Sequence, residues 1–141
     1  MATAISYFSV DNGDMTLVEL ESDRTILIDI NIRQAADNPD DETPDVAKML
    51  RDRLKKDAKG RFYVDAFLLS HPDQDHCRGL MTHFHLGPPE DHPGGDKILI
   101  REMWSSPIVF RRASKNHSLC DDARAWGTEA RRRVRFYRAG N

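Results

Sequence analysis

The run Val64-Asp-Ala-Phe-Leu-Leu-Ser70 ends directly on His71-Pro72-Asp73-Gln74-Asp75-His76, and this junction constrains the fold more than any other stretch of the chain. Its first half is short and mostly apolar, as a buried strand is. Its second half places four potential metal ligands within six residues. Imidazole nitrogens and carboxylate oxygens ligate zinc, iron and manganese. A loop leaving a buried strand can fan such groups around a point beside the sheet edge. His71 and Asp73 would then face one ion, and Asp75 and His76 a second. Two ions held close together polarise a substrate oxygen and share a hydroxide nucleophile. A solvated loop is the competing reading, and it accounts poorly for four ligand types in this order.

The flanking sequence predicts the frame for that junction. Residues 5–10 read as a strand, Asp11-Asn12-Gly13-Asp14 as a turn whose Asn-Gly pair tolerates positive φ, and Met15–Leu20 as the return strand. After a second turn at 21–24, Thr25–Ile32 completes an antiparallel meander. Residues 33–42 form a polar, acidic loop. Thr43 as hydroxyl cap, Pro44 at the first helical position and Asp45 near the N-terminus start an amphipathic helix over 44–57, with Val46, Met49, Leu50 and Leu54 on one face. Beyond the cluster, Gly79–His85 predicts a short helix and Lys97–Met103 a strand. Ser118 caps a last helix over 119–138, with Leu119, Ala123, Trp126, Ala130 and Val134 on its inner stripe and Gly127 weakening it.

The segment Leu69–His76, followed by Gly79-Leu80, resembles the HxHxDH signature of the metallo-β-lactamase superfamily. With Asp73 at the second ligand position it is similar to the variant in the hydrolase domain of DNA-uptake competence proteins. The hairpin at Gly13-Asp14 and the strand Thr25–Asp29 resemble the opening of that group, so the resemblance spans about residues 5–80. It implies an α/β fold, the N-terminal part of an αββα sandwich: antiparallel meander, then helix, strand and metal-motif loop. His71 and Asp73 would be ligands of the first metal, Asp75 and His76 of the second. Asp75 would also be catalytic, orienting the attacking water, and Asp29 would hold a ligand in place. Two zinc ions are the implied cofactors of the complete site. The harder oxygen of Asp73 makes manganese the alternative. The implied activity is metal-dependent hydrolysis of an ester centre, with small-molecule or nucleic-acid phosphodiesters ranked first. A non-catalytic or truncated module that binds a partner or nucleic acid is the alternative, because this scaffold does not by itself decide function.

Two departures carry consequences. The family has Gly shortly after the equivalent of Asp29, whereas Ile30-Asn31-Ile32 follows here. The family also completes its metal shell far downstream, so the 141 residues are expected to be one partial domain. An open half-sandwich would expose apolar sheet surface, favouring association with itself or with a missing C-terminal half. His83, His85, His92 and His117 read as ordinary histidines.

The net charge of −2 gives no global field for nucleic acid or membrane, although acidic residues crowd 37–45 and Arg101, Arg111, Arg112 and Arg131–Arg133 make the last third basic. Arg131–Arg138, with Phe136 and Tyr137, reads as a solvated helix face with aromatic anchors. Trp104 reads equally as pocket lining or core. With no apolar run near membrane length and no signal-peptide pattern, a cytoplasmic, non-membrane protein is expected. Cys77 and Cys120 lack CxxC spacing and are expected to be reduced.

Overall fold

A computed structural model describes residues 2–10, 13–33, 44–110 and 119–140. In chain order its elements are β1 (Ala4–Tyr7), β2 (Thr16–Glu19), β3 (Thr25–Ile28), β4 (Ile30–Asn31), α1 (Val46–Arg53), β5 (Tyr63–Leu69), α2 (Gln74–Cys77), α3 (Leu80–His83), β6 (Phe84–His85), β7 (Ile98–Ser105) and α4 (Asp121–Arg138). The first three strands form the expected antiparallel meander, with Leu17 opposite Leu27. From β3 onward the sheet is parallel, with Leu27 beside Phe67 and Phe67 beside Met103. The result is a mixed six-stranded sheet in the order β1-β2-β3-β5-β7-β6. Parallel neighbours need crossover connections, which α1 and the α2–α3 segment supply. The C-terminal ends of β3 and β5 therefore lie side by side, and the His/Asp cluster leaves from the second of them.

Both faces of β5 are buried: Val64 and Ala66 on one, Phe67 and Leu69 on the other. The ring of Phe67 meets Phe84 and Trp126 edge to face, with centroids 5.2 and 4.9 Å away. Such pairs add about 0.5–1.5 kcal/mol each beyond the burial itself. Trp126 thereby seats α4 on the sheet, and its indole N–H donates to Ser105 Oγ at 2.8 Å. On the other side of the pleat Ile28 and Leu68 stand in register and are half-buried, and Trp104, the next residue across, is 43% exposed. This side of the sheet therefore carries a partly exposed apolar stripe.

Several boundaries differ from the sequence reading, each for a local reason. The helix predicted over 44–57 spans only Val46–Arg53, and Asp45 is its cap, accepting from Lys48 N at 3.0 Å. Thr43, the expected cap, lies outside the described residues, as do the 33–42 loop from residue 34 on, Asn12, Ser118 and His117. The helix stops early because Asp57 organises a turn instead, accepting from the backbone N–H of Lys59 and Arg61 and from the Arg61 guanidinium. Those hydrogen bonds from Arg61 and Lys59 lower the Asp57 pKa to about 2. The expected strand Thr25–Ile32 breaks at Asp29, whose φ of +56° turns the chain out of the sheet. The metal-motif loop contains a one-turn helix, α2. In α4 the inner stripe is Ala123, Trp126, Gly127 and Glu129, while Val134 is 49% exposed. Glu129 takes an inner position because Gly87 and two arginines satisfy its carboxylate there.

Glu129 is 3% exposed and joins α4 to the loop after β6. It accepts from Gly87 N at 2.7 Å and from the guanidinium of Arg132, and Arg133 lies 3.4 Å away. Burial pushes its pKa up, but the hydrogen bonds from Arg132 and Gly87 and the charges of Arg133 and Arg132 outweigh burial and hold it below the ordinary 4.5. A carboxyl depressed on folding stabilises above its unfolded pKa, and that stability is lost as pH falls through the lower folded value. Glu129→Gln is expected to cost about 1–3 kcal/mol near neutral pH. Urea titrations of both proteins should show that gap shrinking at pH values below 4.5. A gap that does not change with pH would remove the linkage.

Candidate metal centre

The centre is built outward from the end of β3. A left-handed residue is sterically disfavoured for most side chains, but Asp tolerates it through local hydrogen bonding. Asp29 sits there with 3% exposure. Its Oδ1 accepts from Ser70 N at 2.8 Å, its Oδ2 accepts from the Ser70 hydroxyl, and Oδ2 lies 3.1 Å from His76 Nδ1. The carboxylate thus clasps the residue that ends β5 and the residue inside α2. Past Asp29, Ile30 and Asn31 bridge in parallel to Cys77 and Arg78, and Ile32 N donates to Arg78 O at 2.9 Å. Ile30 and Asn31 therefore form β4 and hold α2 against the sheet.

The hydrogen bonds fix the tautomers. A carboxylate only accepts, so His76 carries its proton on Nδ1 and presents the Nε2 lone pair. Ser70 gives its single hydroxyl hydrogen to Asp29, so His71 Nδ1, 3.0 Å from Ser70 Oγ, must be the donor in that contact. His71 then also presents Nε2. The two imidazoles lie 4.8 Å apart, centroid to centroid.

Two groups of ligand atoms lie within 4.8 Å of one another: Asp14, Asp29 and His76, and Asp73, Asp75 and His76. They use different faces of the same imidazole. Asp29 and Asp14 address Nδ1, at 3.1 and 3.9 Å, whereas Asp75 Oδ1 stands 3.8 Å from Nε2. Since Nδ1 carries a proton, the first group is an acidic cradle that orients the ring. The second has two carboxylates beside a nitrogen lone pair, which suits a divalent cation. Ligands at bond lengths of about 2.0–2.2 Å lie about 3.3–3.6 Å apart on one tetrahedral ion, so the 3.8 Å pair needs little closing. The oxygen-rich donor set fits manganese as well as zinc.

Of the expected residues, Asp73, Asp75 and His76 come together, and Asp29 stands behind His76. Among the described residues His71 enters neither group, although its ring flanks His76. Asp14 is a member that sequence reading placed only in a turn. The signal for it was Gly13, where a Cβ would lie 2.6 Å from the carbonyl oxygen of Asp75 and from Asn31 Nδ2. Only a glycine lets the hairpin close onto α2. Asn31 Nδ2 in turn donates to Val10 O at 3.0 Å, fastening the other arm of that hairpin.

His85 and His92 are occupied elsewhere. His85 Nε2 donates to Pro88 O, and His92 bridges Gly94 N and Lys97 O. Both His83 and His85 are buried. A cavity of about 540 Å³ adjoins the cluster, lined by Pro72, Asp73, Gln74, Asp75, Arg78, Leu119 and Cys120. Arg78 Nε is buried there without a hydrogen-bond partner. A larger groove of about 870 Å³ runs along β7 and the C-terminal half of α4, past Trp104, Phe110, Phe136 and Tyr137. It contains none of the cluster, so volume does not mark the centre. Phe136 and Tyr137 are 50% and 71% exposed and do not act as anchors, while Arg132 and Arg133 are engaged by Glu129. Burial and the adjacent Cys120 thiol push the Cys77 thiol well above its ordinary range.

No protein-family model, no curated protein and no solved structure matches the chain. What stands is an α/β fold with a mixed sheet and an Asp/His cluster able to hold a metal ion, the features of a generic metal-dependent hydrolase module. No helix among the described residues is long and apolar enough to cross a membrane.

The tautomer assignment has a direct readout. Long-range proton–nitrogen NMR of the metal-free protein should show His71 and His76 protonated on Nδ1 with Nε2 bare. Asp29→Ala should return both to the Nε2–H form and cost about 2–4 kcal/mol by orphaning the donors it satisfies. Unchanged nitrogen shifts in that variant would refute the assignment.

Proposed function

We propose that the protein is a metal-dependent hydrolase of the metallo-β-lactamase type, acting on an ester centre, with phosphodiesters as the first-ranked substrates. The observation that carries the reading is the meeting of His76 with the Asp73 and Asp75 carboxylates, Asp75 lying 3.8 Å from Nε2, behind which Asp29 fixes the imidazole. Asp73, Asp75 and His76 would hold the ion, and His71, with Nε2 presented beside them, is the further ligand. A bound zinc or manganese ion supplies Lewis acidity, polarising an ester oxygen and making hydroxide available near neutral pH. The chain's own groups do the rest. Asp75, with its side chain 49% exposed, accepts a proton from the attacking water and orients it. Asp29 keeps the lone pair of His76 aimed at the ion. Arg78, which lines the same cavity, would offer its charge to an anionic substrate such as a phosphodiester. Ser70 carries the orientation set by Asp29 on to His71.

The half-exposed stripe Ile28–Leu68–Trp104 favours a second reading, a binding module whose sheet face is covered by a partner or by a second copy. The two readings diverge on one titration. Calorimetry with manganese and with zinc is expected to give saturable binding to the native chain, weakened at least about 100-fold in Asp73→Ala/His76→Ala. The loaded native protein should hydrolyse bis(p-nitrophenyl) phosphate, and Asp75→Ala, which removes both a ligand and the group that orients the water, should weaken metal binding and lower kcat by about 100-fold or more at saturating metal. Absence of saturable binding to the native chain would end the enzyme reading. Binding without turnover on any ester would leave the binding module.

A further inference from the structure

We propose that Cys77 and Cys120 are a modification site, the two thiols closing to an intramolecular disulfide that ties α2 to the start of α4 and perturbs the metal-binding cluster. They stand 43 positions apart in sequence, yet their Sγ atoms are 3.7 Å apart. Other bonds hold them there: Asp122, in the first turn of α4, accepts from Gly79 N at 3.1 Å and Met81 N at 2.8 Å, on the segment that follows α2. The pair is thus brought together by the fold rather than by its own weak contact.

Access is divided between the two. Cys77 is fully buried, whereas Cys120 is half-buried and lines the cavity beside Asp73 and Asp75. An oxidant of the small-molecule disulfide class, reaching that cavity, meets Cys120 first. The Cys120 sulfur attacks one sulfur of the small disulfide, forming a mixed disulfide and releasing one thiolate. The Cys77 sulfur then attacks the sulfur of Cys120, forming the protein disulfide and releasing the second thiolate. The two cysteines are oxidised, the small disulfide is reduced, and the two thiol protons leave with the two released thiolates.

Closure has a consequence for the cluster. A disulfide bond is about 2.05 Å long, so the sulfurs must approach by about 1.7 Å. Cys120 stands just before α4, which has 18 residues and is seated by Trp126, so the approach draws on Cys77 in the 4-residue α2 as well as on Cys120 itself. Oxidation also removes the thiol hydrogen that Cys77 donates to Asp73 O at 3.3 Å. Asp75 and His76 belong to α2 while Asp29 belongs to the sheet, so the ligand set is pulled away from its support. This effect on the ion rests on the metal-dependent reading; the bond itself does not.

The test treats the reduced chain with oxidised glutathione and digests it without reductant. The expected product is a monomer lighter by two hydrogens, giving one cross-linked peptide that joins Cys77 to Cys120. Cys77→Ser should instead retain a stable glutathione adduct on Cys120, and Cys120→Ser should form neither product. A lasting adduct on Cys120 of the native chain, or two unreacted thiols, overturns the proposal. Manganese affinity of the oxidised protein should fall about 10-fold and recover with dithiothreitol. An unchanged affinity beside a formed cross-link overturns the coupling. Failure of the reduced protein to bind manganese overturns the metal reading, while the cross-linked peptide decides the disulfide on its own.

Discussion

The carboxylate of Asp29 is the interaction on which the rest of this arrangement depends. A buried carboxylate costs several kcal/mol unless its lone pairs are used. Here the Ser70 N–H, the Ser70 hydroxyl and the His76 imidazole use them, and all three come from the segment that ends β5 and opens the ligand cluster. The same residue stops β3 by its left-handed backbone and sends Ile30–Asn31 onto Cys77 and Arg78. Strand end, support for α2 and imidazole tautomer are consequences of one side chain. The arrangement explains why a residue of this sequence is tolerated in a backbone conformation that usually asks for glycine.

Close backbone approach is the second constraint. Gly13 brings the first hairpin to the carbonyl oxygen of Asp75, and Gly79, at φ +96°, brings the start of α3 against Ile32, whose Cβ and carbonyl oxygen a side chain would meet within 3 Å. Between these contacts α2 is held on two sides by backbone. A one-turn helix has little stability of its own, since nucleation fixes several residues for one hydrogen bond. Its position is therefore set by β4, the hairpin and α4, which is why ligands on a short, partly buried helix still converge.

Elements with strong local signals were legible in the sequence. The meander, β5 and β7 follow from short apolar or alternating runs between turn residues, and α4 survives Gly127 because Ala123 and Trp126 supply its buried stripe. The ligand cluster was legible because its members lie within a few residues of one another. What escaped was decided across distance. The break at Asp29 is fixed by Ser70 and His76, more than 40 positions away. The shortening of α1 follows from Asp57 preferring a turn, and the burial of Glu129 from Gly87 and two arginines. Asp14 joins His76 only through a hairpin contact, and the two thiols meet only because Asp122 docks α4 on α3. None of these pairings leaves a periodic trace.

The donor set also bears on the kind of metal site this chain supports. Structural zinc sites close all four positions with protein ligands, whereas catalytic ones keep one open. Asp73, Asp75 and His76 form a three-membered set beside a cavity, so an ion held there would face open space. His71 is the group that determines how open. Its Nδ1 is tied to Ser70, and its ring lies beside His76, so rotation of one side chain separates a three-ligand site from a four-ligand one. Because Ser70 is bound to the same Asp29 that fixes His76, both imidazoles are governed by one carboxylate. Recruitment of His71 would then cost little reorganisation, and the two states would differ in the number of positions left for water and substrate. That difference, rather than the identity of the ion, is what the geometry leaves to the His71 side chain.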